Sequence, residues 1–300
     1  MSATNTQSVP VRIIPQLWIF WFGLLFGGMV MAGFQQFDKG PFLKATHIAS
    51  SLALVLAGFC FVSGADERRV KWPIFLIAVG MFWGFLGDLS NAGVLFSSDE
   101  LSLMGGILTF AIGHVFYMSA CIVLKNSFRL HNAAAWWGSI LIWQIIAIVG
   151  WAAVVFPNTP HTFNHWAALP YSMLLGGTAG MMCGLALQDR RFFLLGLGGA
   201  LFLASDFVLA LQMFRHDLNI GEILAKTFHW QSEQGLHFFH QVSRNACWLL
   251  YGPAQMLIVY SSYQIMAAYR SLSPATSSAT NNNVTSTAEG RIPQAEESVT

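Results

Sequence analysis

Two aspartates stand inside stretches of the chain that are otherwise apolar. Asp88 lies in "GFLGDLSNAGVLF" and Asp206 lies in "LGLGGALFLASDFVLALQMF". An acidic side chain near the centre of a lipid bilayer costs about 2.5–3.5 kcal/mol to insert, so it usually faces a protein cavity and has a functional role. A pair of carboxyl groups can divide acid and base chemistry between them. The alternative is a structural contact between helices, for instance of Asp88 with Ser90 or Asn91.

The surroundings of the two aspartates are similar. Each follows a small residue, and each is followed eight positions later by phenylalanine, Phe96 after Asp88 and Phe214 after Asp206. If the chain contains two related halves, both aspartates lie about 12 Å from the outer ends of their helices, at 1.5 Å of rise per residue. We therefore expect the two carboxyl groups to approach each other across a cavity that opens toward the outer half of the membrane.

Other polar side chains are expected at the same depth. His114 and Tyr117 are three residues apart in "GILTFAIGHVFYMSA", and Tyr251 and Gln255 are four apart in "NACWLLYGPAQMLIVY", so each pair shares a helix face. We predict that His114 joins the aspartates as a catalytic group, and that Tyr117, Tyr251 and Gln255, together with Asn91, bind the substrate. For His114, an interhelical hydrogen bond is an equally good interpretation.

The composition indicates what kind of fold must position these groups. Of the 300 residues, 55% are hydrophobic and only 10% are charged, which is typical of a protein that crosses the membrane several times. The net charge of +1 and the scattered basic residues argue against nucleic acid as a partner. The four cysteines lie in apolar runs without CxxC spacing, and the histidines of the expected loops make a weak metal motif, so we predict neither a metal nor a cofactor.

The sequence predicts an all-α fold of about eight transmembrane helices, arranged as two related halves of four. The apolar runs, each close to the roughly 20 residues that a bilayer requires, are residues 17–34, 42–63, 72–96, 103–124, 136–156, 166–187, 192–214 and 244–263. We expect a short N-terminal segment at 1–16, a long loop at 215–243 and a disordered tail at 271–300. Most lysines and arginines fall on the side that holds both termini, which predicts that the termini are cytoplasmic.

The polar blocks resemble those of the YhhN family of membrane proteins, whose animal members include lysoplasmalogenases. The resemblance rests on "GFLGDLSNAGVLF", "FAIGHVFYMSA", "LGGALFLASDFVLALQMF" and "LLYGPAQMLIVYS", in that order along the chain. It implies hydrolysis of the vinyl ether bond of lysoplasmalogens, which releases a fatty aldehyde and a glycerophospho-headgroup. It also implies that Asp88 and Asp206 are the intramembrane acidic residues of the family.

This chemistry suits the residues themselves. Cleavage of an enol ether begins with protonation at carbon, continues through an oxocarbenium ion that captures water, and ends with collapse of a hemiacetal. One carboxyl can hold the proton while the other, ionised, stabilises the cation, as in glycosidases. The sequence does not show which aspartate is the acid. The substrate is expected to be a lysophospholipid in the bilayer.

Two further points remain open at the level of sequence. Lys44 and Arg244 are expected at the rim of the cavity, where they would bind the substrate phosphate; alternatively they anchor the helices to bulk headgroups. Paired intramembrane carboxyls with a histidine also describe proton relays, so a proton-coupled transporter or a lipid-binding protein without hydrolase activity is the alternative function. The oligomeric state cannot be derived from these patterns.

Overall fold

The computed structural model describes residues 16, 18–26, 39–157, 163–214, 227 and 233–272, and these residues form helices and short turns without a strand. This confirms the predicted all-α class. The helices are α1 (18–26), α2 (Lys39–Ser63), α3 (Arg68–Asn91), α4 (Asp99–Ser127), α5 (Ala133–Val154), α6 (Phe163–Gln188), α7 (Phe193–Phe214) and α8 (Glu233–Leu272), with a 3-10 turn at Arg190–Phe192.

Five of the described helices are long and apolar enough to cross a membrane. They are α2, α3, α4, α5 and α7, the last counted together with the preceding 3-10 turn. The chain is therefore a multi-pass membrane protein by helix length and composition. The count of eight spans is not confirmed and stays a prediction. Residues 1–15, most of the predicted tail (273–300), and residues 27–38, which include the end of the first predicted span, lie outside the described residues.

The third predicted span, 72–96, is wrong at its outer end, because α3 stops at Asn91. Gly93 adopts a φ of 70°. Its N–H donates to the Ser90 carbonyl at 2.8 Å, and the Val94 N–H donates to the Leu89 carbonyl at 3.0 Å. These two bonds form a Schellman motif, in which glycine takes the left-handed conformation that ends a helix.

This early end corrects the predicted depth of Asp88. The carboxylate residue lies three positions before the end of α3, about 4.5 Å along the axis, whereas Asp206 lies eight positions, about 12 Å, before Phe214 at the end of α7. The two aspartates are therefore not equally far from the ends of their helices. The similarity of the two segments does not extend to Phe96, which follows the turn.

The last predicted span, 244–263, lies within a longer helix, and residues 233–243 of the predicted loop 215–243 are helical. Helix α8 begins at Glu233 and ends at Leu272. Hydropathy marks the apolar part of a helix, while the backbone hydrogen bonds continue through the polar residues on either side. Residues 215–226 and 228–232 of the predicted loop lie outside the described part of the chain.

Helices that follow one another in the chain pack side by side, and small residues set their spacing. α2, α3 and α4 form one group and α5, α6, α7 and α8 another, joined by contacts of α6 with α4 and of α8 with α2 and α3. On α6, Gly176 and Gly180 face α5 so closely that a Cβ at Gly180 would lie 2.6 Å from the Ile140 Cα. Such glycine contacts are the usual means of close helix packing in membranes.

Candidate active site

Asp88 lies in an enclosed polar pocket between three helices. Its side chain, in the last turn of α3, is only 6% exposed. Ser51 of α2 donates a hydrogen bond of 2.5 Å to Oδ2 of Asp88. From α8, the side chains of Tyr251 and Gln255 lie next to the same carboxyl. Asp88 therefore has hydroxyl and amide groups around it and a small exposed area.

Two of these neighbouring donors have no partner of their own. The Tyr251 hydroxyl and the Gln255 Nε2 atom are buried, and neither meets hydrogen-bond geometry with any described residue. Both atoms point at α3 near Gly84, one turn before Asp88. A buried donor without a partner is costly, so these two atoms are poised to bind a carboxylate, a water molecule or a substrate oxygen.

Asp206 also accepts a hydrogen bond from a hydroxyl, but its side chain is more exposed than that of Asp88. The Tyr171 hydroxyl of α6 donates to Oδ2 of Asp206 at 2.5 Å. Ser205 Oγ lies 3.3 Å from Oδ1, although its shorter bond, 2.6 Å, goes to the carbonyl of Phe202. Since a serine hydroxyl has one proton, the second carboxylate oxygen of Asp206 is the less satisfied of the two.

A large apolar chamber adjoins Asp206. It has a volume of about 750 Å³, and α5, α6 and α7 form most of its wall. This volume falls in the range of about 300–1,000 Å³ that is common for ligand sites. Asp206 and Tyr171 lie on the wall, among mostly aliphatic and aromatic side chains. Asp88, His114 and Tyr251 are not among the residues that line this chamber.

The surroundings of the two carboxyl groups adjoin each other. Aromatic rings connect their surroundings. The Phe202 ring packs edge-on against His114, with centroids 4.9 Å apart, and against Tyr251 at 5.2 Å. The His114 ring in turn lies 6.1 Å from that of Tyr171. The catalytic roles predicted for Asp88, Asp206 and His114 stay predictions.

One ring nitrogen of His114 is free to accept a hydrogen bond. Its Nδ1 atom lies 3.2 Å from Thr178 Oγ1, and Thr178 gives its own proton to the Leu174 carbonyl at 2.9 Å. Thr178 must then accept from Nδ1–H, which leaves a lone pair on Nε2. That Nε2 atom is buried and has no partner among the described residues. The interhelical hydrogen bond weighed at the sequence level thus exists, and it leaves the second nitrogen available.

The other four residues predicted to bind substrate are not among the described residues that line the chamber, and their binding role stays a prediction. The ring of Tyr117 lies 6.0 Å from that of His114. Tyr117 is buried against α3, with its hydroxyl 3.7 Å from the Met81 sulfur. Asn91, the exposed last residue of α3, rests on Gly106 of α4. Lys44 is exposed and donates to the Ala92 carbonyl at 3.3 Å, which caps the end of α3. Arg244 belongs to α8, but its side chain is outside the described part of the structure.

Three residues of the site were missed in the sequence: Ser51, Tyr171 and Thr178. A signal for the first two was present, because Ser51 precedes Asp88 by 37 positions and Tyr171 precedes Asp206 by 35. Each hydroxyl therefore sits one helix before its carboxylate. Single serines and tyrosines in apolar helices are common, so only the comparison of the two halves would have singled them out.

The fold and the site define a multi-pass helical membrane protein with a carboxyl pair in its interior. The model of the YhhN family matches residues 41–262, which is well over half of the chain. The chain therefore belongs to the YhhN family, and the resemblance seen in the sequence is confirmed. No curated protein and no solved structure matches the chain significantly.

Proposed function

We propose that the protein is a lysoplasmalogenase-like hydrolase that cleaves the vinyl ether bond of a lysophospholipid within the membrane. The observation that carries the proposal is the position of Asp206, hydrogen-bonded to Tyr171, on the wall of the 750 Å³ apolar chamber. A hydrocarbon chain fits an apolar chamber, and an enol ether needs an acid beside that chain.

We assign the proton transfer to Asp206, the carboxyl that lines the chamber. Asp206 protonates the carbon of the double bond that is remote from oxygen, and the adjoining carbon becomes an oxocarbenium ion. Water adds to this carbon and returns its proton to Asp206. The hemiacetal then collapses to a fatty aldehyde and a glycerophospho-headgroup. Each step balances without a redox partner.

Asp88 supplies the negative charge of the pair. It has Ser51, Tyr251 and Gln255 around it, and hydrogen-bond donors favour a carboxylate. In an interior of low dielectric constant, such a fixed charge stabilises a cation that develops nearby. His114 supports the addition of water, because its free Nε2 atom can accept a hydrogen bond from the attacking water while the proton passes to Asp206.

The test is turnover by the purified full chain in liposomes with a lysoplasmenyl lipid. Release of fatty aldehyde in equal amount to the glycerophospho-headgroup supports the proposal. Proton-dependent flux of lipid or ion without aldehyde would instead support the transporter alternative. An ester-linked lysolipid of the same headgroup is the matched control, and we expect no hydrolysis of it, because an ester does not accept a proton at carbon.

A further inference from the structure

We propose that the apolar chamber opens sideways to the bilayer between α5 and α7, and that the substrate enters there with part of its hydrocarbon chain still in the lipid. The occupant is the single chain of a membrane amphiphile. This inference rests on the proposed function for the identity of the substrate, but the binding of a chain is separable from its cleavage.

The chamber wall continues onto the lipid-facing surface of the protein. Three residues of the wall are also exposed on the outside, Ile145 to 52%, Val149 to 59% and Phe207 to 41%. They belong to α5 and α7. Only 22% of the apolar window of α5 is buried, the lowest share of the five candidate spans. The opening is therefore toward the hydrocarbon core of the membrane and not toward water.

The length of the chamber also requires such an opening. Along α7 its wall reaches from Ala200 to Phe214, which is about 9 Å on one side of Asp206 and about 12 Å on the other, at 1.5 Å per residue. A chain that fills one leaflet spans about 15 Å, half of the roughly 30 Å hydrocarbon core. A chain that extends from Asp206 along α7 in either direction is therefore longer than the part of the chamber on that side. The remainder of such a chain lies in the bilayer.

Gly150 lies where α5 and α7 meet at the edge of the proposed opening. It lines the chamber on α5, and a Cβ added there would lie 3.0 Å from the ring of Phe207 on α7. Any larger side chain must displace the ring or fill the gap between the two helices. Gly138, on the same helix, offers the matched control, because a Cβ there would meet nothing within 4 Å.

The experiment uses the full chain in liposomes and a lysophosphatidylcholine analogue whose chain is joined by a saturated ether and carries a diazirine in the half of the chain nearest the ether. This probe cannot be hydrolysed. After illumination, labelled positions are mapped in the wild type, in Gly150→Leu and in Gly138→Leu. Aldehyde release from lysoplasmenyl lipid is measured on the same preparations.

We expect labelling to concentrate on the chamber-lining parts of 143–155 and 200–214 and to exceed labelling of other lipid-facing positions such as Leu56 and Ile122. Gly150→Leu should lower it at least about tenfold, equivalent to about 1.4 kcal/mol of binding, while Gly138→Leu leaves it unchanged. Labelling spread evenly over the lipid-facing surface, or unaffected by a folded Gly150→Leu protein, would overturn the inference.

The two proposals fail separately. A wild-type protein that labels in the chamber but releases no aldehyde contradicts the hydrolase and supports the chamber as a chain site. One that releases aldehyde while labelling evenly supports the hydrolase and overturns the lateral opening. If Gly150→Leu does not fold, the distribution of labels on the wild-type protein alone tests the lateral opening.

Discussion

The two halves of the molecule hold their aspartates in the same way but present them differently. In the first half, Ser51 of α2 donates to Asp88 of α3; in the second half, Tyr171 of α6 donates to Asp206 of α7. Both hydrogen bonds are 2.5 Å long. The helix pairs also correspond, because α2 packs on α3 as α6 packs on α7. Each of the two carboxyl groups therefore accepts a hydrogen bond from the helix that precedes its own in the chain.

The halves differ in the structure that follows each aspartate along the chain. α3 ends three residues after Asp88 at the turn around Gly93, and Phe110 of α4 presses so close to α3 that a Cβ at Gly87 would lie 2.6 Å from its ring. α7 continues to Phe214, and its contact with α5 is limited, which leaves the chamber between them. In the proposed mechanism, Asp88 therefore supplies a charge from an enclosed site, and Asp206 contacts the substrate.

The largest expected effect comes from removing either carboxylate. Asp206→Asn should lower kcat at least about 1,000-fold, because an amide cannot act as the acid. Asp88→Asn should also lose most activity, through loss of the charge. Aldehyde release by purified protein measures both, and thermal unfolding checks that the variants fold. If Asp88→Asn retains wild-type turnover, Asp88 takes no part in catalysis, and the difference between the two halves says nothing about the mechanism.

The next effect tests whether His114 works through its free nitrogen. His114→Asn keeps a short polar group near Thr178 but nothing at the position of Nε2, so kcat should fall about 10- to 1,000-fold. His114→Gln, whose amide reaches further, should recover part of that loss. Steady-state kinetics of the two variants gives the comparison. Full activity in His114→Asn would mean that the residue serves only to join α4 and α6.

Smaller and unequal losses are expected when the two hydroxyls are removed. Each hydrogen bond to a charged group contributes about 1.5–3 kcal/mol, and Tyr171 also lines the chamber. Tyr171→Phe should therefore lower kcat about 10- to 100-fold with little change in KM, while Ser51→Ala lowers it less. Tyr269→Phe, a tyrosine that packs on Phe128 away from the carboxyls, is the control. Equal losses in Ser51→Ala and Tyr269→Phe would remove the paired hydroxyls from the account.

The smallest effect concerns Lys44, which caps α3 in the first half. Because it donates to the Ala92 carbonyl, Lys44→Met should cost the fold about 0.3–1 kcal/mol through the helix end. If Lys44 also binds the substrate phosphate, KM rises several-fold while kcat stays constant. A loss of stability with unchanged KM would leave Lys44 as a cap and nothing more.

The sequence predicts the fold class well because that class depends on apolarity. It also singles out Asp88 and Asp206, because a charge inside an apolar run is conspicuous, and their joint role stays a prediction. The end of α3 was predicted wrongly because hydropathy continues through Val94, Leu95 and Phe96, whereas the backbone turns at Gly93. The "SNAG" segment contained that signal. Tyr171 and Ser51 depend on which helices become neighbours, and the chamber depends on the gap between α5 and α7, neither of which is visible in single-residue patterns.

The most direct test of the central claim is hydrolysis of lysoplasmenyl lipid in D₂O, with the aldehyde reduced as it forms and examined by mass spectrometry. Protonation at carbon predicts one solvent deuterium on the carbon next to the aldehyde group in every product molecule from the wild type, and no product above background from Asp206→Asn. Aldehyde without that deuterium, or full turnover by Asp206→Asn, would contradict the claim that this intramembrane carboxyl protonates the vinyl ether.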